Sequence, residues 1–387
     1  LDRIGYFDER MVTLDDWEYV IRLFTYCSKT EICFIPESLC DYRWHQSKRM
    51  YQSGALGIQE HVRILAAKQY PEKLKIFLIP HKERGITQSQ KDVYSGVKEA
   101  LGLIPFVGLG EHADPDLSIV VGPIWNYTKD EILGYKEKLQ SPIMGLLTED
   151  PQGIQGNLFL VNELDWWVSN DLSAMAHYKT ILSKPKQIYH WNCLSLNQEV
   201  LAECAKPHDK KYDVCFIGYP YPSRVAFIKW LRMIMPDIKL VLIGDTWDGY
   251  DIPAEIHPTL SPVETAKIGC QSKIVICKHR NEQDLNGFPM MKPANVNRGY
   301  IECAYNAIVM IDNDRPLSSF TGEVDFYNPS NGRELEKTIA GYLSNYSATE
   351  ARRKQAYETA VREYTYLSRM TRLLNAFRSP RWNVRIK

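Results

Sequence analysis

Two consecutive series of short apolar runs, each run followed by a polar turn and a stretch of helical spacing, constrain this chain most. In the first series the runs are 74–79, 117–121 and 143–147, and 159–161 and 166–169 read as further short strands. A helix is expected to begin near Ser89. In the second series the runs are 212–217, 239–243, 273–277 and 308–311, with helices predicted over 223–235, 262–270 and 298–306. Strands that alternate with helices in this way form parallel sheets whose two faces are both covered. The polar stretch 203–212 reads as a linker between the series, and a long charged helix over 348–377 closes the chain. The expected fold class is therefore α/β, with two Rossmann-like domains facing a cleft. In open α/β sheets ligands lie beyond the carboxyl ends of the strands, so that cleft is the expected site.

At 387 residues the chain exceeds the size at which one hydrophobic core stops growing. The first domain of the two is assigned to 56–205 and the second to 206–387, preceded by a segment 1–55 of different pattern. Lysine plus arginine and aspartate plus glutamate number 47 each, so no global field points to nucleic acid or to an anionic membrane. No apolar run reaches the roughly 20 residues needed to span a bilayer, and a cytoplasmic location is expected. The chain opens at Leu1 with sequence that reads as mid-domain, and a fragment of a longer protein is expected. The nine cysteines include no C-x-x-C, and several sit inside strand-like runs, as Cys215 and Cys277 do. Buried free thiols are expected, and neither a disulfide framework nor a zinc site.

The second domain carries the sharper motifs. Its first strand runs into Phe216-Ile217-Gly218-Tyr219-Pro220-Tyr221-Pro222-Ser223-Arg224. Gly218 at the strand end lets backbone approach a ligand, Ser223 is the expected N-cap, and the helix start supplies amide donors for phosphate. Arg224 adds a guanidinium suited to a diphosphate. A plain strand-turn-helix with a surface arginine is the competing reading. The glycine pattern is not G-x-G-x-x-G, which disfavours a dinucleotide cofactor. Arg298 and Glu302 stand four apart on the predicted helix and share a face, as a ribose-binding carboxylate beside a phosphate-neutralising arginine or as an ordinary surface ion pair. Trp247, beside Gly244-Asp245 at a strand end, is the aromatic expected to meet a nucleotide base. In the first domain Glu149 and Asp150 follow a strand, either as general base or as an Asp-Pro turn, and His81 follows the first strand.

The series Phe216-Ile217-Gly218 to Arg224, Ile243-Gly244-Asp245-Thr246-Trp247 and Arg298-x-x-x-Glu302-x-x-x-Asn306-Ala307 resembles the nucleotide-binding domain of CgeB-like (spore-maturation-protein) glycosyltransferases, within the family-1/family-4-like GT-B enzymes. The resemblance spans about 74–377, and Val324-Asp325-Phe326-Tyr327 also fits it. It implies that Glu302 holds the ribose of a nucleotide-sugar donor, that Arg224 with Arg298 or Lys278 stabilises the diphosphate, and that no bound metal or other cofactor is needed. It further implies Asp150 or Glu149 as base toward a glycan, lipid-linked or protein acceptor. Two departures stand out: Asn306 replaces a usual glycine, and Ala294 occupies the place of the first glutamate of a retaining pair, which leaves the stereochemistry open.

The opening segment, with Asp15-Asp16-Trp17-Glu18 and Tyr42-Arg43-Trp44-His45, resembles the tail of a family-2-type GT-A glycosyltransferase. In that resemblance Asp16 is the catalytic base and His45 approaches metal or diphosphate. Fifty residues cannot form such a site, so the segment is expected to be an inactive remnant whose GT-A partner domain lies upstream in a two-headed parent. Two further readings compete with glycosyl transfer: a degenerate GT-B fold that binds glycan or nucleotide without turnover, and a nucleotide-sugar epimerase. The basic residues Arg369, Arg372, Arg378, Arg381, Arg385 and Lys387 form either a solvated helix face or a peripheral contact with anionic lipid.

Overall fold

The computed structural model describes residues 73–82, 87–104, 106–122, 124–151, 153–181, 187–279, 298–312 and 322–378. The opening segment, with Asp16 and His45, lies outside them, as do Arg381, Arg385 and Lys387.

The first half alternates β1 (Leu74–Leu78), α1 (Gln88–Leu103), β2 (Val107–Leu109), β3 (Leu117–Val121), α2 (Lys129–Leu139), β4 (Ile143–Leu147), α3 (Ile154–Val161), β5 (Trp166–Ser169), α4 (Leu172–Ile181) and β6 (Gln187–His190). After α5 (Gln198–Cys204) the second half runs β7 (Tyr212–Ile217), α6 (Pro222–Ile234), β8 (Leu240–Ile243), β9 (Glu255–His257), α7 (Pro262–Cys270), β10 (Ser272–Cys277), α8 (Gly299–Glu302), β11 (Ile308–Asp312) and β12 (Asp325–Tyr327). Helices α9 (Gly332–Ser344), α10 (Glu350–Glu363) and α11 (Tyr366–Arg378) follow.

The strands form two sheets in the orders β2-β1-β3-β4-β5-β6 and β12-β11-β10-β7-β8-β9. Every registered pair in the second sheet is parallel, as are the pairs from β1 to β6 in the first. Both faces of the second sheet are buried. Ile274 and Ile276 join a cluster with Val214, Phe216 and Trp247, while Val275 and Cys215 join another with Ala356 and Tyr305. Burial of each such side chain contributes about 1.5–3 kcal/mol, which is why the strand sequences read as unbroken apolar runs. The thiols Cys193, Cys204, Cys215, Cys270, Cys277 and Cys303 are free and buried, as expected.

Several boundaries differ from the sequence expectation. Residues 159–161 lie in α3 and form no strand. Pro222 takes the first helical position of α6, so Tyr221 is its N-cap and Ser223 is not. The predicted helix 298–306 is one α turn, then a 3₁₀ turn over Cys303–Tyr305, ended by Asn306 in the left-handed region at φ 49°. Asparagine tolerates that conformation, which accounts for its standing where glycine is usual. The closing helix is two helices, broken at Tyr364–Thr365, where Leu196 bridges Thr365.

Gly269 in α7 meets the ring of Tyr305, and a Cβ there would lie 2.2 Å from it. Tyr305 is buried and has no room to swing aside. Gly269→Ala is expected to destabilise the chain by about 1–3 kcal/mol despite alanine's better helix propensity. Urea unfolding measures this, and an unchanged midpoint would show that the contact yields freely.

Candidate functional site

Read along the chain, the second sheet has the order 6-5-4-1-2-3, so its connections reverse direction between β7 and β10. Such a reversal opens a crevice at the carboxyl ends of the two strands. Gly218 ends β7 there with φ +146°, and Gly244 ends β8 with φ +149°. Both conformations favour glycine. Space demands it too: a Cβ on Gly218 would lie 2.9 Å from Arg224 Nη1, and one on Gly244 would lie 2.4 Å from the Gly218 carbonyl oxygen.

Two guanidinium groups border this turn. Arg298 donates from Nη1 to the Ile217 carbonyl. Arg224 donates from Nε to the Lys278 carbonyl at 3.1 Å and packs over the rings of Phe216 and Tyr221. Glu302 accepts a hydrogen bond from the Cys277 thiol at 2.5 Å, and its other oxygen lies 4.0 Å from Arg298 Nε. At 1% exposure Glu302 is no surface ion pair. Burial raises its pKa, partly opposed by Arg298 and the thiol. The fold thus brings together Gly218, Arg224, Gly244, Arg298 and Glu302.

Two of the expected donor residues have other tasks. Trp247 is fully buried and donates from Nε1 to the Gly218 carbonyl at 2.7 Å, so it supports the turn from beneath and offers no face to a base. Lys278 is buried and its ammonium sits 2.9 Å from Asp312 Oδ2. The Asp312 carboxylate also bonds the main chain and Nδ1 of His279. Burial would raise the Asp312 pKa, but the His279 and Lys278 contacts overcome it and hold the group near 2. Cys277 was read only as a buried strand thiol, and His279 and Asp312 went unnamed in the sequence reading; His279 and Asp312 are 33 residues apart, and only strand pairing joins them. Beside Lys278, a cavity of about 260 Å³ is lined by Ser223, Phe227, Trp230 and Ser330.

The first sheet reverses between β1 and β3. His81 follows β1, stacks on Tyr94 with ring centroids 5.0 Å apart, and bonds the Gly122 backbone at the end of β3. Its Nε2 is buried without a partner, so Nδ1 makes the Gly122 bond. Burial lowers the His81 pKa, which favours the neutral ring. Asp150 is enclosed instead: Oδ1 accepts from Asn157 and Tyr178, and Oδ2 accepts from Ser169 at 2.7 Å. Burial pushes its pKa up to about 6. Those bonds tie β4 to β5 and α4, which makes Asp150 an anchor for its turn. Glu149 accepts from Gln90 Nε2 at 2.7 Å. Of the basic residues near the end of the chain, Arg369 is buried and Arg372 pairs with Glu363, so neither offers a free charge to a lipid surface.

Among the described residues no helix is long and apolar enough to cross a membrane. No group of three or more His, Cys, Asp or Glu side chains among them is placed to hold a metal. Asp312→Asn leaves Lys278 buried without its counter-charge and is expected to cost about 3–5 kcal/mol. Because the folded pKa lies below the ordinary 3.8, the wild-type contribution is full above that pH and fades as pH falls toward 2. Denaturant melts at pH 7 and pH 3 check both, and the deficit of the variant should shrink at the lower pH.

Residues 224–375 match the family model described as glycosyl transferase-like. No curated protein matches the sequence. Among solved structures, an alpha-glucosyltransferase in complex with UDP and a 13-mer DNA containing an HMU base is similar at TM-score 0.53 and 10% identity, over 79% of this chain and 99% of that one. HepE of Anabaena in complex with UDP-glucose is similar at TM-score 0.51 and 9% identity, over 78% and 99%. TarM matches at TM-score 0.47 and 11% identity over 68% of this chain, which spans 55% of TarM's length. At such identities the likeness is one of fold. The chain has the two-sheet GT-B fold, and residues 224–375 of its second half are similar to the glycosyl transferase-like model.

Proposed function

We propose that the chain transfers a sugar from a nucleotide-diphosphate donor to an acceptor hydroxyl, with the donor seated at the β7/β10 reversal. The observation that carries this reading is the pair of guanidinium groups, Arg224 and Arg298, flanking the Gly218 turn above a buried Glu302. A leaving diphosphate gathers negative charge as the glycosidic bond breaks, and fixed cations beside it stabilise that state. In this reading the arginines supply the charge without a resident metal, and Glu302 accepts the ribose hydroxyls. A buried carboxylate whose neighbours are a thiol and a distant guanidinium is an acceptor with capacity left for a ligand. The alpha-glucosyltransferase and HepE were solved with UDP or UDP-glucose, which makes uridine the first nucleotide to test.

His81 is the proposed acceptor-side base. Its ring is oriented across the β1/β3 reversal by the Gly122 backbone and burial favours its neutral, basic form, whereas both carboxylate oxygens of Asp150 are engaged by Tyr178 and Ser169. The acceptor is proposed to be a glycan or lipid-linked sugar. One structural neighbour was solved with DNA, but equal numbers of acidic and basic residues give this chain no global field for a polyanion. The CgeB-like subgroup and the GT-A character of the opening segment belong to the same proposal, and the two-headed parent with them.

Calorimetric titration with UDP, GDP, dTDP and CMP should show one preferred nucleotide, and Glu302→Ala should weaken it roughly 10- to 100-fold through the lost charged hydrogen bonds. Binding of none of them would remove the donor site from this place. With donor and acceptor supplied, His81→Ala is expected to lower kcat by about 10²–10⁴ while leaving nucleotide affinity unchanged. Nucleotide binding without any sugar release or transfer would leave a binding module in place of an enzyme.

A further inference from the structure

The segment that carries His81 is held from three sides. Ahead of it, Ile79 N donates to the Ile119 carbonyl at 2.8 Å, which ties the segment to β3. The Tyr127 hydroxyl donates to the Pro80 carbonyl at 2.7 Å, and Tyr127 is itself 2% exposed. Behind it, Lys82 pairs with Glu131 of α2 and lies over the Tyr127 ring. These contacts fix the path of the main chain. They leave the imidazole free to turn about its own two side-chain torsions.

Two further contacts settle the ring. One is the hydrogen bond to the Gly122 backbone. Gly122 is a fixed partner: its N–H donates to the Leu146 carbonyl at 2.7 Å, and a Cβ on it would lie 3.0 Å from that same oxygen. A single hydrogen bond fixes a point of the ring but not its plane. The plane is set by Tyr94, whose ring stacks on the imidazole at 5.0 Å between centroids and 27° between planes. The Tyr94 hydroxyl also bonds the His81 main chain.

Tyr94 is carried by a regular helix and not by a loop. It stands four residues after Gln90 and three before Val97, both buried, so the three share a face of α1. Gln90 Nε2 in turn bonds Glu149, just past the end of β4, which anchors the start of α1 beside the reversal. Tyrosine suits the position because it supplies a flat face for the imidazole and a hydroxyl for the main chain, and no aliphatic residue supplies either.

We propose that Tyr94 is a positioning residue for His81, holding the imidazole in the one plane that aims Nδ1–H at Gly122 and leaves Nε2 without a proton. The nitrogen that carries the proton is set by the bond that the ring makes, so a ring that turns freely loses its single tautomer. Tyr94 acts only through His81. The role of His81 as base rests on the glycosyl-transfer reading, while the placement of its ring does not. The stacked ring also keeps water from the imidazole. Lys91 and Tyr94 of α1 face it, Tyr127 and Tyr135 interact with Tyr94, and Lys82 is neutralised by Glu131. Without the Tyr94 ring, the lowered His81 pKa is expected to rise toward its ordinary 6.5, with Lys91 still opposing the rise.

The test records two-bond ¹H–¹⁵N NMR spectra of the full chain labelled in histidine, with the His81 signals assigned by their loss in His81→Gln. In the wild type a neutral ring with its proton on Nδ1 is expected. Tyr94→Ala should turn this into a mixture of tautomers, and Tyr94→Leu carries the test if the alanine variant does not fold. Turnover is read as UDP released from UDP-glucose with octyl β-D-glucoside as acceptor. Tyr94→Ala should lower kcat about 10- to 100-fold with UDP affinity unchanged. Tyr94→Phe, which keeps the stack, should recover kcat to within about threefold of wild type. A wild-type ring with its proton on Nε2, a tautomer unmoved in both Tyr94 variants, or a loss of kcat matched by an equal loss of UDP affinity would overturn the proposal. A changed tautomer with kcat unchanged would support the placement and sink the base reading alone.

Discussion

Parallel pairing is the constraint on which the rest depends. A parallel strand pair needs a crossover, usually a helix, and the carboxyl ends of parallel strands collect on one edge of their sheet. Where the crossovers reverse direction, no connection covers that edge. Both reversals hold candidate site residues: Gly218 with Arg224 and Arg298 between β7 and β10, and His81 with Gly122 between β1 and β3. The sheet order alone selects those two places out of all the strand ends.

At the β7/β10 reversal the buried charges form two groups with different electrostatics. Asp312 is paired with Lys278 and His279, and its pKa falls. Glu302, one strand end away beside Cys277, has a thiol and a guanidinium at 4.0 Å, and its pKa rises. The first group is electrically complete and serves the fold. The second has unused hydrogen-bonding capacity, as a ligand site does.

Much of this was legible in the sequence, for physical reasons that also mark where legibility stopped. Strands such as 240–243 are buried on both faces, and continuous apolar runs announce them. The edge strands β2, β9 and β12 are three residues each, too short for any pattern to register. The apolar 158–161 fits strand and helix alike, and the structure makes it helix. Nothing local breaks the closing helix at Thr365, which has neither proline nor glycine nearby; its break answers a contact with Leu196, 169 residues earlier. Gly218, Arg224 and Glu302 could be named because their motif is contiguous or helically spaced. The supporting role of Trp247 could not, since the sequence shows a strand end and not which way the indole turns.

The break at Thr365 divides the last two helices between the two sheets. Helix α10 lies on the second, where Arg353 bonds the Asn306 side chain and Ala356 and Ala360 enter the core. Helix α11 lies on the first, with Phe377 edge-on to Trp166 and Tyr366 against Gly96. The chain therefore crosses from one sheet to the other near Leu196 and crosses back near Thr365, and these two passages are laced together by main-chain bonds from Leu196 N to Tyr364 O and from Tyr366 N to Leu196 O. The two crossings of the chain thus form a single joint, and neither passage runs between the sheets without the other bonded to it.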